Sequence, residues 1–147
     1  MATSKHLAIR AAVAALFAAG TPVSAHVFQN RGFSLAQGLA SQVHVNFDGG
    51  APAEDEVYQN HPIDWESRFE LRFLARAGGG LEAHDVADAL WTDAYARIMA
   101  DRKLGGLVWD LTPADVDVDT DEADTSVAVV IWRFTCKHRT TDNSISS

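Results

Sequence analysis

The chain has 147 residues, of which 47% are hydrophobic and 22% charged; this is the composition of one folded domain with a single core, and it excludes wholesale disorder. Its one cysteine, Cys136, excludes an intramolecular disulfide framework and a multi-cysteine zinc site. The formal net charge of -8, from 20 acids and 12 bases, argues against tight nucleic-acid binding, which needs basic side chains to neutralise phosphates.

Residues 1–25 admit two readings. Lys5 and Arg10, the apolar run from Ala11 to Ala19 and the small residues Val23-Ser24-Ala25 resemble a secretory signal with its cleavage site. The same residues read as a helix from about Ser4 to Ala19. Ser4 is a ready N-cap, Leu7, Ala11, Ala14 or Ala15, and Leu16 fall near helical spacing, and Gly20-Thr21-Pro22 stops the run. Arg10 interrupts the apolar stretch early, which favours the helix. No run approaches the roughly 20 apolar residues of a membrane span. Val23 to Gln29 is expected as a short strand, and Asn30 to Ser41 as a loop anchored by Phe33, Leu35 and Leu39. Gln42 to Phe47 reads as a second strand with Val43, Val45 and Phe47 on one face. Asp48 to Pro62, polar and bearing Gly and Pro, is expected as a mobile loop.

Ile63 to Arg76 is the clearest element. Ile63, Trp65, Phe69, Leu71, Phe73 and Ala75 share one face, with Ser67 its only polar residue. Asp64, Glu66, Arg68, Glu70, Arg72 and Arg76 occupy the other. A period of two sustained this long predicts a strand with one wet side, whose mixed charges suit cross-strand pairing or a subunit contact. Gly78-Gly79-Gly80 then breaks the chain. It precedes a helix but lacks the Lys and Ser/Thr of a phosphate loop, so it reads as a connector. A helix follows from about Glu82 to Asp101. Ala83, Ala87, Leu90, Ala94 and Ile98 form its core stripe, and Val86, Trp91 and Tyr95 widen it.

Beyond Gly105-Gly106, Leu107, Trp109, Leu111, Val116 and Val118 mark the next strand. Seven acids and no base lie between Asp110 and Asp124, so one segment carries nearly all of the chain's acid excess. Its spacing Asp115-x-Asp117-x-Asp119-x-Asp121 does not make a calcium loop, because neither register supplies Gly at position six and Glu at position twelve. Ser126 to Arg139 is the last strand, paired with the acidic one across a polar turn. It is apolar on both faces for part of its length, as a covered central strand is. Thr140 to Ser147 is expected as a flexible tail. The expected architecture is a single α+β domain over residues 1–140, with a mixed, mostly antiparallel sheet of four to five strands packed against two helices.

No catalytic signature emerges. The six histidines form no close metal pair, and there is no nucleophile elbow. Cys136 and His138 point to the same strand face, but most mid-strand cysteines among apolar neighbours are inert. The expectation is a non-enzymatic protein with no cofactor and no metal.

The order of elements carries a resemblance. "AIRAAVAAL", "VHVNF", "WESRFELRFLARA", "ARIMADRKLGGLVWDL", the acidic segment and "VAVVIWRFTCKHRT" follow one another from about His6 to Thr140. This series resembles the tail terminator proteins of the neck of long-tailed bacteriophages and phage-like particles such as gene transfer agents. The resemblance implies a structural virion protein of the tail neck, assembled in the host cytoplasm. It would form a homo-hexameric ring that caps the tail tube, ends tail polymerisation and meets the head–tail connector or stopper protein. DNA would pass through its channel without specific binding, and no membrane would be involved. On this reading Asp115, Asp117, Asp119, Asp121 and Glu122 are expected to face the channel, where acids repel phosphates. The charged face of the long strand (Asp64, Glu66, Arg68, Glu70, Arg72 and Arg76) is expected at the contact between subunits.

Overall fold

The computed structural model describes residues 3–29, 35–36, 38–53, 60–120, 126–141 and 144–145. The elements in chain order are α1 (Lys5–Ala18), β1 (Val27–Phe28), β2 (Ser41–Pro52), β3 (Ile63–Arg76), α2 (Ala83–Ala100), a 3-10 turn (Leu104–Gly106), β4 (Asp110–Thr120) and β5 (Val127–Thr140). The sheet runs β1-β2-β3-β5-β4. β1 is parallel to β2 and every other neighbour is antiparallel. The fold is α+β, with a five-stranded mixed sheet carrying two helices on one face.

The start of the chain is a helix that belongs to the core. The Ser4 hydroxyl caps it by accepting the Leu7 N–H at 3.3 Å. Ile9, Val13 and Phe17, one turn apart, are wholly buried against the sheet. The far end is capped from outside. Arg97 of α2 donates to the carbonyls of Leu16 at 2.9 Å and Ala19 at 2.8 Å, and also to that of Thr21. A helix C-terminus leaves carbonyls without partners and carries the negative end of the dipole, so a guanidinium there satisfies both.

The inward face of the sheet is apolar because period-two side chains from three adjacent strands coincide in register. Phe69 lies opposite Phe47 and Phe134, and Leu71 opposite Val45 and Trp132. α2 packs over β3 and β5, burying Ala87, Ala94 and Ile98. It leaves the second half of β4 uncovered, so Val116 and Val118 on the helix side remain 40% and 62% exposed, whereas Leu111 near its start is buried. A smaller apolar cluster sits on the other face. Leu74, Val127 and Val129 pack there under Leu35, with Leu39 and Ile131 at its margin. The first half of β5 is thus covered on both sides, as its sequence anticipates.

Three boundaries differ from expectation. β4 begins at Asp110 rather than at Leu107, because the chain only leaves the 3-10 turn Leu104–Gly106 just before it. The first strand shrinks to two residues, because the preceding ones close α1 and dock elsewhere: the Val23 N–H donates to the Phe17 carbonyl at 2.8 Å, and the Ser24 and Ser41 hydroxyls lie 2.9 Å apart. The second strand extends through Asp48–Pro52, where a loop was expected. It crosses a register shift between Phe47 and Gly50, with Gly49 at φ +94°, a left-handed backbone that lets the strand bulge and resume pairing. A Cβ on Gly50 would stand 2.9 Å from the Glu66 carbonyl oxygen and 3.0 Å from the Ser67 hydroxyl, so this strand pair closes only around glycine. Residues 54–59 of the expected loop, Phe33 and half of the expected tail (142, 143, 146 and 147) lie outside the described residues.

Candidate functional site

The helix-free face of the sheet carries the charge, and its geometry follows from the strand order. β5 is inserted between β3 and β4, with Arg133 opposite Glu70 on one side and opposite Asp115 on the other. Directly opposed residues share a face. The charged side of β3 and the acids of β4 are therefore one surface, although sequence reasoning treated them as two.

Arg133 is the hub of that surface. Its Nη1 donates to Asp115 at 2.7 Å and to Asp117 at 2.8 Å, and its Nε lies 3.6 Å from Glu70. Glu70 also accepts from Arg72 Nε at 2.6 Å. The hydrogen bonds that Asp117 and Asp115 accept hold the Arg133 guanidinium above its ordinary pKa. At the opposite end of the face Arg139 Nε donates to Asp64 at 2.7 Å, which holds that carboxyl below the usual range. The Arg139 guanidinium also lies 4.7 Å from the centre of the Trp109 ring.

The remaining candidate residues divide. Arg76 is committed to the apolar end of this face, donating to the carbonyls of Leu39 and Leu35. Arg68 and Glu66 are exposed, and Arg68 makes no ion pair with a described residue. Asp119 accepts the N–H of Thr120 at 2.7 Å. Asp121 and Glu122 lie outside the described residues. Among the described residues, no three His, Cys, Asp or Glu side chains are grouped as a metal site.

A buried polar node lies on the opposite face of the sheet. Ser67 Oγ sits 2.9 Å from His6 Nδ1 and 2.9 Å from His138 Nε2, and the two imidazole rings cross edge to face at 4.8 Å. His138 Nδ1 is buried without a partner. A bare ring nitrogen without a partner costs less than a stranded N–H, which selects the tautomer. His138 donates from Nε2 to Ser67, and Ser67 donates to Nδ1 of His6. Burial, reinforced by His6 and Lys5, lowers the His138 pKa to about 4, and burial lowers that of His6 as well. Both rings are neutral at neutral pH, so the node binds α1 to β3 and β5 without charge. Burial also pushes the Cys136 thiol up to about 12, with Asp110 contributing. With His138 committed to Ser67, Cys136 and His138 provide no activated thiolate. The node escaped sequence reasoning because its members are far apart in the chain. The available signal was polarity out of place: Ser67 on the apolar side of β3 and His138 on the apolar side of β5.

No protein-family model matches the chain, and no curated protein matches it in sequence. Solved structures do share its fold. One is a chain of the virion of a native gene transfer agent particle, at 10% identity and a TM-score of 0.56, covering 90% of this chain and 95% of that one. Another belongs to the sheath/tube terminator of an extracellular contractile injection system in the extended state, at 8% identity and a TM-score of 0.50. That match covers 96% of this chain and 59% of the other, so the chain spans little more than half of the longer protein. Among the described residues, no helix is long and apolar enough to cross a membrane.

Proposed function

We propose that this protein is a structural component of a phage-tail-like particle and acts as its tail terminator. Copies close into a ring on the tail tube, end tube polymerisation and present a surface to the head–tail connector. The role is one of shape and self-association, in the neck of a virion assembled in the host cytoplasm, with no bond-making chemistry and no cofactor. The single observation that carries this reading is the fold, which matches a chain of a gene transfer agent virion over nearly the full length of both.

The charged sheet face fits the role. Asp115, Asp117 and Asp119, followed in sequence by Asp121 and Glu122, would give the channel an acidic wall along which DNA moves without adhering. The charges of β3 lie beside them on the same surface, where Glu66, Arg68 and the Glu70–Arg72 pair border the neighbouring copy. The rival reading, a secreted binding protein, requires loss of residues 1–25, and these carry Ile9, Val13 and Phe17 of the core. Native mass measurement tests the proposal. The expected species has a mass near six times 15.9 kDa, alone or on tail tubes. Removal of the protein should give tails of uncontrolled length; tails of normal length that still join heads would refute the role.

A further inference from the structure

We infer that neighbouring copies of this chain join helix to sheet, with the outer face of α1 in one copy seated on the bare second half of β4 in the next. The inference rests on the ring reading and identifies its interface. The vacancy on β4 follows from widths. A helix about 10 Å across covers two strands spaced about 4.8 Å apart. α1 packs on β1 and β2, and α2 on β3 and β5, so the fifth strand of the sheet has no helix of its own. Val116 and Val118 are exposed there. Tyr95 of α2, itself exposed, borders them: its ring lies 5.3 Å from that of Trp132, the residue opposite Val116. Exposed apolar groups gathered in this way mark protein contacts.

α1 has the matching need. A helix with one side in water is polar on that side, and a helix apolar all round is buried all round. α2 obeys the first rule, with His84, Asp85, Asp88, Thr92 and Asp93 on its exposed surface. α1 does not. Beyond Lys5, His6 and Arg10 it has no polar residue, and its outward face is Leu7, Ala11, Ala15 and Ala18, all exposed. That face continues into a groove of about 290 Å3 lined by Ala12, Ala15, Leu16, Asp101, Leu104 and Gly105. The small side chains let a strand come close, the groove has room for the Tyr95 ring, and Asp101 offers a carboxylate to its hydroxyl. The lengths agree: α1 is about 21 Å long, and residues 114–120 of β4 extend about 24 Å. The rims are opposite in charge. Exposed Lys103 adjoins the groove, and exposed Asp88 lies two turns before Tyr95 on the same flank of α2; neither is ion-paired to a described residue. The acids of β4 point to the other face of the sheet, so the contact leaves Asp115, Asp117 and Asp119 to the channel. Because α1 lies over β1 and β2 while β4 is at the far end of the strand order, the contact is head to tail, the kind that closes into a ring by rotation.

Mixing complementary variants tests the interface in the full chain. Ala15→Arg blocks the α1 face and leaves the β4 face intact; Val118→Arg does the reverse. Each variant alone should sediment as a single subunit under conditions where the wild type is a ring, a loss of at least tenfold in self-association. An equimolar mixture should give a two-subunit species and nothing larger, because only the sound β4 face of the first and the sound α1 face of the second can meet. Ala89→Arg adds the same charge to the outward side of α2 and should assemble as the wild type does. All three positions are exposed, and matching circular dichroism spectra check that the variants fold. Rings formed by Ala15→Arg or Val118→Arg alone, loss of assembly in Ala89→Arg, or a mixture that stays monomeric or builds full rings would overturn the contact while the ring reading stands. If the wild type stays monomeric even with tail tubes, the ring reading fails and takes the interface with it.

Discussion

Single side chains decide how α1 is attached, and the attachment is sensitive to acid. In the unfolded chain an imidazole titrates near 6.5, whereas His138 in the fold takes a proton only near pH 4. Between those values the unfolded state binds the proton and the native state does not, so native stability falls as pH drops from 6.5 to 4. The His138 contribution over that window is about 3 kcal/mol, and His6 acts in the same direction. Positive charge on Lys5 and His6 of α1 opposes a proton on the ring, in the same direction as burial. Urea denaturation at pH 7 and pH 4.5 should show the loss. His138→Gln keeps a donor for Ser67 but cannot titrate, and should flatten the pH dependence; an unchanged slope would place the acid sensitivity elsewhere. Gly50 acts at the same scale by absence. Gly50→Ala forces a Cβ against the backbone of β3 and should cost about 1–3 kcal/mol, read as a lower denaturation midpoint with the m-value unchanged.

At the scale of elements, the strength of local periodicity determined what could be read from the sequence. β3 spans Ile63–Arg76 as its alternation requires, and both long helices lie within a residue of their expected bounds. The extension of β2 past Phe47 was illegible because Asp48-Gly49-Gly50 has turn chemistry, and only the facing β3 backbone turns it into a bulged strand. Exposure on β4 was equally hidden: Val116 and Val118 alternate as a core strand would, yet neither helix reaches them. The charged residues of β3 and β4 were identified individually, but their union into one surface depends on Arg133, a residue of the intervening strand. The helix layer gives its own prediction. Arg97 ties α2 to the open end of α1 through several carbonyls and pairs with Asp93. Arg97→Met preserves the aliphatic stem and removes those donors. It should cost about 1.5–3 kcal/mol, the range for hydrogen bonds to a charged group, with little of that from the exposed Asp93 pair. Hydrogen exchange should localise the loss to residues 14–21; uniform loss across the sheet would show that the cap does not secure α1.

For the whole molecule, what matters is how an acidic protein that carries several arginines on one face could serve as the proposed acidic channel wall. Arg133 is shared by Asp115, Asp117 and Glu70, Arg72 is taken by Glu70, and Arg139 by Asp64. The face is therefore an acidic surface on which Arg72, Arg133 and Arg139 are internally committed while Arg68 is not, and the proposed channel role depends above all on the commitment of Arg133 beside the β4 acids. Neutralising carboxylates should do more than reduce repulsion, because it releases a guanidinium that can bind a phosphate bidentately. Asp115→Asn/Asp117→Asn removes two acids from a net charge of -8 and leaves Glu70 as the remaining charged partner of Arg133. The prediction is that this double variant is retained on immobilised duplex DNA at low salt and elutes as salt rises, while the wild type flows through. Asp85→Asn/Asp88→Asn makes the same change in net charge on exposed positions of α2, and should flow through like the wild type. Particles carrying the β4 variant should eject DNA more slowly if that strand lines the channel. Equal retention of the two double variants would reduce the effect to net charge. Retention confined to the β4 variant but with ejection at the wild-type rate would place its acids away from the path of the DNA.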